Sequence, residues 1–432
     1  MLVMTSAGLF GWAVRGSSGY GAVPGCVFAG TLWGALWYLL AREPAEEKRR
    51  RYSSGWSVLA VTAGVGVSGM QGWSQWGNWV QGRFYVDWAS GQFLPVNPAW
   101  GYAWWFVVAV HWGGMGSVFL AWTGSKVPPN ARDWALRLAM GAAGAAVAWL
   151  AFEERPDLFL PHYDALDGYD PAGCVQCVRA YNDCRQALAW LGAYAGFVAH
   201  EALRRDWTNV KLILTVGLVT GIGWVAFQFW QFADDWFPGV AFNWWRCWES
   251  SAGGVVGLAY GVAFARFNRP APPGAPPPRE QPFSRARNAE KLLGVHGALA
   301  VGLTWSFVAG VKGWMNVYLG IDETLWGWAA PAATLAVAAW GASCWANSRD
   351  PLAVGDGRDA TPHYPALFAV AYALNRELGL QVTGPLNNWV EAAFFAYYLA
   401  LAAFDVAVLL AWRGKKLKNE RRPSSPAIDR DS

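Results

Sequence analysis

Apolar stretches long enough to cross a bilayer recur along the whole chain, and they constrain its fold more than any other feature. Each is about 20 residues long, the length that a helix needs to span the hydrocarbon core, where backbone polar groups must be satisfied within the helix itself. The chain is 54% hydrophobic and 15% charged, whereas soluble domains carry about 25% charged residues. The sequence therefore predicts an all-α, polytopic membrane protein with about eleven transmembrane helices. The predicted spans are residues 8–40, 57–81, 99–123, 134–153, 185–203, 209–232, 240–265, 290–312, 324–346, 363–376 and 389–412.

Basic residues concentrate in the loops that follow the odd-numbered spans, from 41–52 to the tail 413–432. Cytoplasmic loops collect Lys and Arg, so this pattern predicts an N-terminus outside and a C-terminus in the cytoplasm, in a bacterial inner or plasma membrane. The proline-rich stretch 268–289 cannot build a packed core and is typical of a cytoplasmic linker. It separates a seven-helix part, 1–267, from a four-helix part, 290–412.

Two consecutive spans share a pattern with two later ones, which indicates an internal repeat. Four spans separate the copies, so they would have the same orientation, as in a parallel repeat. Because the chain has 31 Trp and 49 Gly, coincidence is the alternative interpretation. The first match sets Gly66, Gly72, Trp73 and Trp79 against Gly217, Gly223, Trp224 and Trp230. The second sets Trp104, Trp105, Gly113 and Gly114 against Trp244, Trp245, Gly253 and Gly254.

Polar side chains collect in the predicted outer half of several spans. Because a polar group in hydrocarbon costs a few kcal/mol unless it is paired, we expect them to line an outward-facing, Trp- and Gln-rich cavity for a small polar solute. The alternative is a structural network in which Arg246 pairs with Glu249, glutamines join helices and tryptophans form an interfacial belt. The candidate binding residues are Arg15, Gln71, Gln75, Asn78, His111, Gln228, Gln231, Asn243, Arg246 and Glu249.

Two further features of the spans allow two interpretations each. Asp405 lies near the middle of the last span without a local basic partner, so it is a candidate coupling site for protons or a hydrogen-bond partner of another helix. The glycine-rich segment 15–25 with Pro24 predicts either a broken helix or close packing of small residues.

Four cysteines fall on the predicted external side. Cys174, Cys177 and Cys184 belong to the acidic, aromatic loop 154–184, and Cys247 lies at the outer end of the seventh span. An even set in an oxidising compartment predicts two disulfides whose pairing the sequence does not fix. A zinc site with His162 is the alternative, although the spacing matches no standard site.

No nucleotide-binding, hydrolase, metalloprotease or Ca²⁺-loop motif occurs in the sequence. We therefore expect no cofactor and no metal, and favour a transporter or permease over an enzyme. The net charge of +4 and the lack of a basic, aromatic groove speak against nucleic-acid binding. The predicted partners are the bilayer and the solute, and a homo-oligomer is compatible with this interpretation.

The alternatives to a transporter are a transferase of acyl, glycosyl or phospho groups at the outer leaflet, acting through carboxylates, and a structural membrane assembly partner. The carboxylates would be Glu153, Glu154, Asp234 and Asp235.

Overall fold

The chain forms a bundle of helices with one small β-hairpin. The structure, a computed structural model, describes residues 1–17, 23–41, 50–69, 74–127, 129–240, 242–270, 290–302 and 389–420, together with positions 315, 319, 320, 332, 336 and 339. The helices are α1 (Leu2–Ser17), α2 (Val23–Ala41), α3 (Trp56–Ser68), α4 (Trp76–Val80), α5 (Pro98–Thr123), α6 (Ala131–Glu154), α7 (Cys177–Leu203), α8 (Trp207–Ala226), α9 (Ala233–Trp236), α10 (Trp244–Phe267) and α11 (Trp389–Glu420). The hairpin pairs β1 (Arg83–Asp87) with β2 (Gln92–Pro95) in antiparallel register. A 3₁₀ segment, Phe227–Phe232, joins α8 to α9, and a π-helix covers Glu290–Gly297.

Three described helices are long and apolar enough to cross a membrane: α5, α6 and the continuous stretch Trp207–Trp236. Only 17% of the most apolar window of α6 is buried in the bundle, against 78% for α5. The outward face of α6 exposes Leu138, Val147 and Leu150. For an apolar face of this kind, contact with lipid is more favourable than contact with water. The remaining predicted spans form shorter apolar helices, miss the criterion of length and hydropathy, or lie outside the described residues.

The first predicted span consists of two antiparallel helices instead of one. α1 runs along α10 in the opposite direction, with Met1 against Gly261 and Gly8 against Gly253, and α2 then returns along α3. Because the break within 15–25 reverses the chain, Met1 lies near the end of the bundle where α10 ends. α11 runs parallel to α10 and ends on that side too. The prediction that the two termini lie on opposite sides is therefore wrong for the described helices.

Glycines bring α1 and α10 into backbone contact. A Cβ added to Gly8 would lie 2.1 Å from the carbonyl oxygen of Gly253, and one added to Gly257 would lie 2.0 Å from that of Met4. Glycines one turn apart, as at Gly253 and Gly257, let helix backbones approach closely. Gly8 of α1 and Gly253 and Gly257 of α10 thus serve close packing.

Five of the tryptophans form a column inside the bundle. Trp76, Trp105, Trp224, Trp12 and Trp33 follow each other with ring centroids 5.5 to 6.1 Å apart, and all five are fully buried. Such aromatic pairs add to the free energy gained from burial. For these residues the interfacial-belt interpretation is wrong. The column continues from Trp33 through Tyr260 and Trp37 to Tyr52.

Loops gather at two opposite ends of the bundle. The basic-loop end, where the loops after α2, α5, α7 and α10 meet, joins Arg51 to Gly124 and Asp206, and Arg50 to Asn268. The hairpin end contains the β-hairpin and the loop between α6 and α7, held by hydrogen bonds such as His162 Nε2 to the Pro95 carbonyl. From α1 to α10 the long helices therefore alternate in direction along the chain, as in a multi-span topology.

The internal repeat remains a prediction, because Gly72 and Trp73 lie outside the described residues. Of the predicted parts, residues 271–289 of the linker and most of 303–388 also lie outside them. The described pieces of the second part nevertheless pack on the first. The carboxylate of Glu290 accepts a hydrogen bond from Ser54 Oγ at 2.7 Å, and α11 contacts both α1 and α10.

Candidate functional site

α10 begins with a polar segment at the hairpin end. Asn243 is its N-cap, and the side-chain oxygen accepts a hydrogen bond from the Arg246 N–H at 3.0 Å. This bond satisfies one of the first four N–H groups of the helix, which have no partner within it. The amide of Asn243 is therefore committed to helix capping, and its place among the predicted binding residues has a structural explanation.

Arg246 and Glu249 follow one helical turn apart, and both side chains are fully buried. The guanidinium of Arg246 lies over the ring of Phe394 in α11, with its central carbon 5.1 Å from the ring centroid. In the same turn, the hydroxyl groups of Ser250 and Tyr398 are hydrogen-bonded to each other. Arg246 and Ser250 are thus turned towards α11.

Asp405 joins the same contact from the other side. It lies on the face of α11 that also carries Phe394 and Tyr398, and it is 7% exposed. Ser6 of α1 lies beside it and donates a hydrogen bond to the Leu401 carbonyl at 3.4 Å. Within the part of the chain that the structure describes, neither carboxylate oxygen of Asp405 meets the geometry of a hydrogen bond. Arg246 and Asp405 are therefore both buried where α11 packs on α10 and α1, and Glu249 is buried one helical turn from Arg246.

This arrangement carries two kinds of chemistry. A guanidinium binds carboxylate or phosphate groups through paired N–H donors, and a carboxylate such as Glu249 accepts hydrogen bonds from amines and hydroxyls. A second carboxylate without strong partners, such as Asp405, suits the uptake and release of a proton. Buried ionisable groups in a membrane bundle mark solute and ion pathways more often than packing positions.

The predicted glutamines lie apart from this contact. Gln75 is buried, and its amide donates to the Tyr85 carbonyl at 3.0 Å and accepts from the Tyr85 N–H at 2.7 Å. The Gln75 amide therefore makes the two backbone hydrogen bonds that a neighbouring strand would otherwise make with Tyr85, and it fixes the hairpin to the start of α4. Asn78 is half-buried on the same short helix. The described residues do not include Gln71, nor the side chain of Arg15 on α1.

Gln228 and Gln231 belong to the 3₁₀ segment after α8. The Gln228 amide donates to the Trp224 carbonyl at 3.1 Å, while Gln231 lies against Gly77 of α4. Gln81 donates to the backbone carbonyl of Gln231. These contacts join α4 to the 3₁₀ segment, which matches the structural interpretation of the glutamines.

His111 is fully buried in α5, and neither ring nitrogen has a hydrogen-bond partner among the described residues. No described contact links it to Arg246, Glu249 or Asp405. The predicted site thus separates into a charged contact, an amide group at α4 and an isolated histidine.

The cysteines form one disulfide among the described residues. Cys174 is bonded to Cys177, while Cys184 and Cys247 are free thiols. The prediction of two disulfides is wrong for the second pair, because Cys184 is enclosed in the bundle and accepts a hydrogen bond from Trp76 Nε1 at 3.2 Å. Among the described residues, no three His, Cys, Asp or Glu side chains are grouped so that they could hold a metal ion.

Two titratable side chains near these cysteines, Asp183 and Tyr181, have shifted pKa values. Burial raises the pKa of Asp183 to about 6, although Arg179, 3.4 Å away, favours the charged form. Tyr181 donates to Glu153 at 2.8 Å, and burial together with this bond raises the pKa of the phenol to about 12. Glu153 also pairs with Arg185 at 2.6 Å. This carboxylate of the transferase alternative is therefore held in an ion pair.

A buried polar network at the basic-loop end was missed by sequence reasoning. Arg137 and Glu201 are both fully buried and form an ion pair at 2.7 Å. The guanidinium carbon of Arg137 also lies 5.0 and 4.8 Å from the ring centroids of Trp122 and Trp134. The signal was present in the sequence, because both charges fall inside consecutive antiparallel spans near the same predicted end.

The network continues from Glu201 to three loops. Asn209 donates to Glu201 at 2.9 Å and accepts from the Tyr52 hydroxyl at 2.7 Å. Arg51 pairs with Asp206 at 2.6 Å, and the Asp206 carboxylate also accepts from the Lys126 N–H at 2.9 Å. Burial raises the pKa of Tyr52, so its hydroxyl stays a donor. The network holds these three loops together at this end.

An apolar groove with a volume of about 240 Å³ lies beside this network. Its walls come from α3, α5 and α6, and it is separate from the charged contact of α10 and α11. The outward polar cavity predicted from the sequence therefore does not correspond to this groove. The lining residues are Trp56, Leu59, Ala60, Ala63, Phe119, Trp122, Thr123 and Trp134.

Comparison of the chain with known protein families, curated proteins and solved structures finds no significant match.

Proposed function

We propose that the chain is a multi-pass membrane transporter of a small polar solute. Arg246 and Glu249 would bind the solute, and Asp405 would couple its movement to protons. The observation that carries the proposal is the burial of Arg246 and Asp405 against the helices that meet at α11, with the buried Glu249 one helical turn from Arg246.

Charged groups inside a helical bundle cost several kcal/mol unless they are paired, and packing alone is served at lower cost by apolar side chains. The α1–α10 contact already obtains close packing from Gly8, Gly253 and Gly257. Arg246 and Glu249 are thus not needed to hold α1 against α10, which favours a role in binding.

The opposite charges on one turn of α10 suit a solute with an anionic group and a hydrogen-bond donor. α1 packs on α10 through glycines and on α11 through Ser6, so displacement of α1 would open the charged contact from both sides. With the basic-loop end in the cytoplasm, as the positive-inside rule requires, the hairpin end faces outward. In this arrangement Met1 lies nearer the cytoplasmic side.

Solute binding is tested first. The purified full chain in lipid nanodiscs is screened by thermal shift against amino acids, mono- and dicarboxylates and sugars, and uptake of any stabilising compound is then measured in proteoliposomes. We expect Arg246→Gln and Glu249→Gln to lower uptake at least tenfold while the variants still insert. Arg185→Gln and Glu153→Gln, which change an ion pair at the membrane surface, are the matched controls. Wild-type uptake by both α10 variants would defeat the proposed site.

Coupling is tested separately by imposing a proton gradient on the same proteoliposomes. We expect Asp405→Asn to keep solute binding but to remove the acceleration of uptake by the gradient. If Asp405→Asn liposomes respond to the gradient as wild type does, Asp405 has no coupling role.

A further inference from the structure

The disulfide between Cys174 and Cys177 lies at the start of α7. Cys177 is the first residue of this 27-residue helix, its N–H donates to the Cys174 carbonyl at 3.2 Å, and the two Cα atoms are 5.3 Å apart. Cys174 belongs to the turn that precedes the helix. The pair therefore places one sulfur inside the first helical turn and the other outside it.

Such a bond contributes little to holding the fold. The stabilisation from a disulfide grows with the length of the loop that it closes. This disulfide closes a very short loop, because Cys174 and Cys177 are only three positions apart in the sequence. It does not connect separate elements of the bundle. A role in keeping distant segments together is therefore excluded by its position.

The turn that carries Cys174 can open locally. Its neighbours Pro171, Ala172, Gly173 and Val175 are exposed, although both sulfur-bearing residues are buried. Most of the described backbone hydrogen bonds of the turn stay within it, as from Cys174 N–H to the Asp170 carbonyl at 2.9 Å. One bond, from Gln176 N–H to the Val86 carbonyl at 3.3 Å, connects it to the hairpin. Segments with so few external ties open at small free-energy cost.

The helix start favours reduction of this pair. The N-terminus of a helix carries a partial positive charge that stabilises a thiolate, and Cys-x-x-Cys pairs at such positions have lowered thiol pKa values. A thiol with a lowered pKa is also the better leaving group in exchange. Cys177 occupies such a position, as the first residue of α7.

Cys184 does not take part while α7 is intact. It lies seven residues after Cys177 on the same helix, about 10 Å along the axis, whereas disulfides join Cα atoms less than about 7 Å apart. Burial raises the pKa of the Cys184 thiol well above its usual value, which keeps it protonated. It provides a built-in control for the reactivity of the pair.

We propose that Cys174–Cys177 is a redox-active disulfide that exchanges with dithiols of partner proteins or peptides at the hairpin end. A substrate thiolate attacks Cys174 Sγ, the bond to Cys177 breaks, and Cys177 leaves as a thiolate that then takes up a proton. The second substrate thiol loses its proton and attacks the mixed disulfide, which releases Cys174 as a thiolate. The substrate gives up two electrons and two protons and becomes a disulfide, and the Cys174/Cys177 pair gains them and becomes a dithiol.

The equilibrium test uses the purified full chain in detergent and millimolar buffers of reduced and oxidised glutathione. Thiols are trapped with a maleimide, and the fraction labelled at Cys174 and Cys177 is read by peptide mass spectrometry. Because structural disulfides resist reduction by the glutathione pool, we expect reversible, two-thiol labelling of this pair in the folded chain only if it is redox-active. A pair that stays oxidised in every such buffer overturns the proposal.

The kinetic test uses a reduced dithiol peptide as the probe. We expect the oxidised chain to convert one equivalent of peptide to its disulfide, and Cys174→Ser and Cys177→Ser each to abolish this conversion. Cys184→Ser, with an unchanged melting profile, should retain it fully. Equal loss in Cys184→Ser, or conversion by the chain only after unfolding, would also refute the exchange. Solute uptake is not involved in either readout, so this result is independent of the transport proposal.

Discussion

Replacing Glu201 with Leu should destabilise the chain by about 3 to 5 kcal/mol, the usual cost of removing one partner from a buried ion pair. The guanidinium of Arg137 would be left with Ser125, its other described hydrogen-bond partner, at 3.2 Å. Two aromatic rings still cover it. Because the side chain has no exposed surface, water cannot compensate for the lost carboxylate.

The double variant Arg137→Met/Glu201→Leu should lose much less stability than the sum of the two single variants. No unpaired charge remains in it, and apolar replacement of a buried pair is often nearly neutral. Asn209 loses its acceptor on Glu201, at about 1 to 3 kcal/mol, and the two cation–π contacts add about 1 kcal/mol or more. We therefore expect a total loss of about 2 to 4 kcal/mol in the double variant, with strong non-additivity.

The free energy of unfolding is measured for all four proteins of this cycle by titrating detergent micelles with sodium dodecyl sulfate. Asp157→Leu is the matched control, because Asp157 belongs to the exposed pair with Arg155, and exposed pairs contribute little. Losses that add up across the cycle would show that Arg137 and Glu201 act independently, which would refute the inferred pairing.

Two further predictions concern pH and helix packing. Burial holds the pKa of Asp183 at about 6, above the usual value of about 4, so the folded state binds a proton that the unfolded state has released. The free energy of unfolding should therefore fall by about 2 kcal/mol as the pH rises between these values and then stay level. Asp183→Asn should abolish this slope in melts recorded across that range. Gly257→Ala should cost about 1 to 3 kcal/mol by overpacking against Met4, whereas Gly173→Ala, which has space, should melt like wild type. Equal melting of the two glycine variants would contradict the described α1–α10 contact.

Much of the helical architecture could be predicted from the sequence. The bounds of α5 and α6 agree with the predicted spans to within a few residues, because a continuous apolar run in a membrane has no alternative to the helix. The count of eleven spans remains a prediction, and the sequence left open whether the first predicted span, 8–40, is broken. An apolar stretch of that length fits one long helix or two short ones, and the choice depends on whether α1 finds a partner surface on α10.

The candidate site was predicted in part. Arg246, Glu249 and Asp405 were identified because charges in apolar helices are conspicuous, and all three are buried in the structure, Arg246 against Phe394 of α11. Gln75 was assigned to solute binding because an amide in a span looks the same whether it binds a ligand or a strand. Only the hydrogen bonds to the backbone of Tyr85, in a β-hairpin that the sequence did not predict, distinguish these two roles.

The sequence by itself determined that this chain forms membrane-type helices and where its charges fall along them, because these properties depend on local composition and on satisfying backbone polar groups. The tertiary structure alone decided which helices meet. Gly8 and Gly253, Arg137 and Glu201, and Ser6 and Asp405 are brought together across long separations in sequence. Such pairs depend on shape and burial over whole helix faces. The spacing of residues within one helix therefore does not predict which helix it packs against.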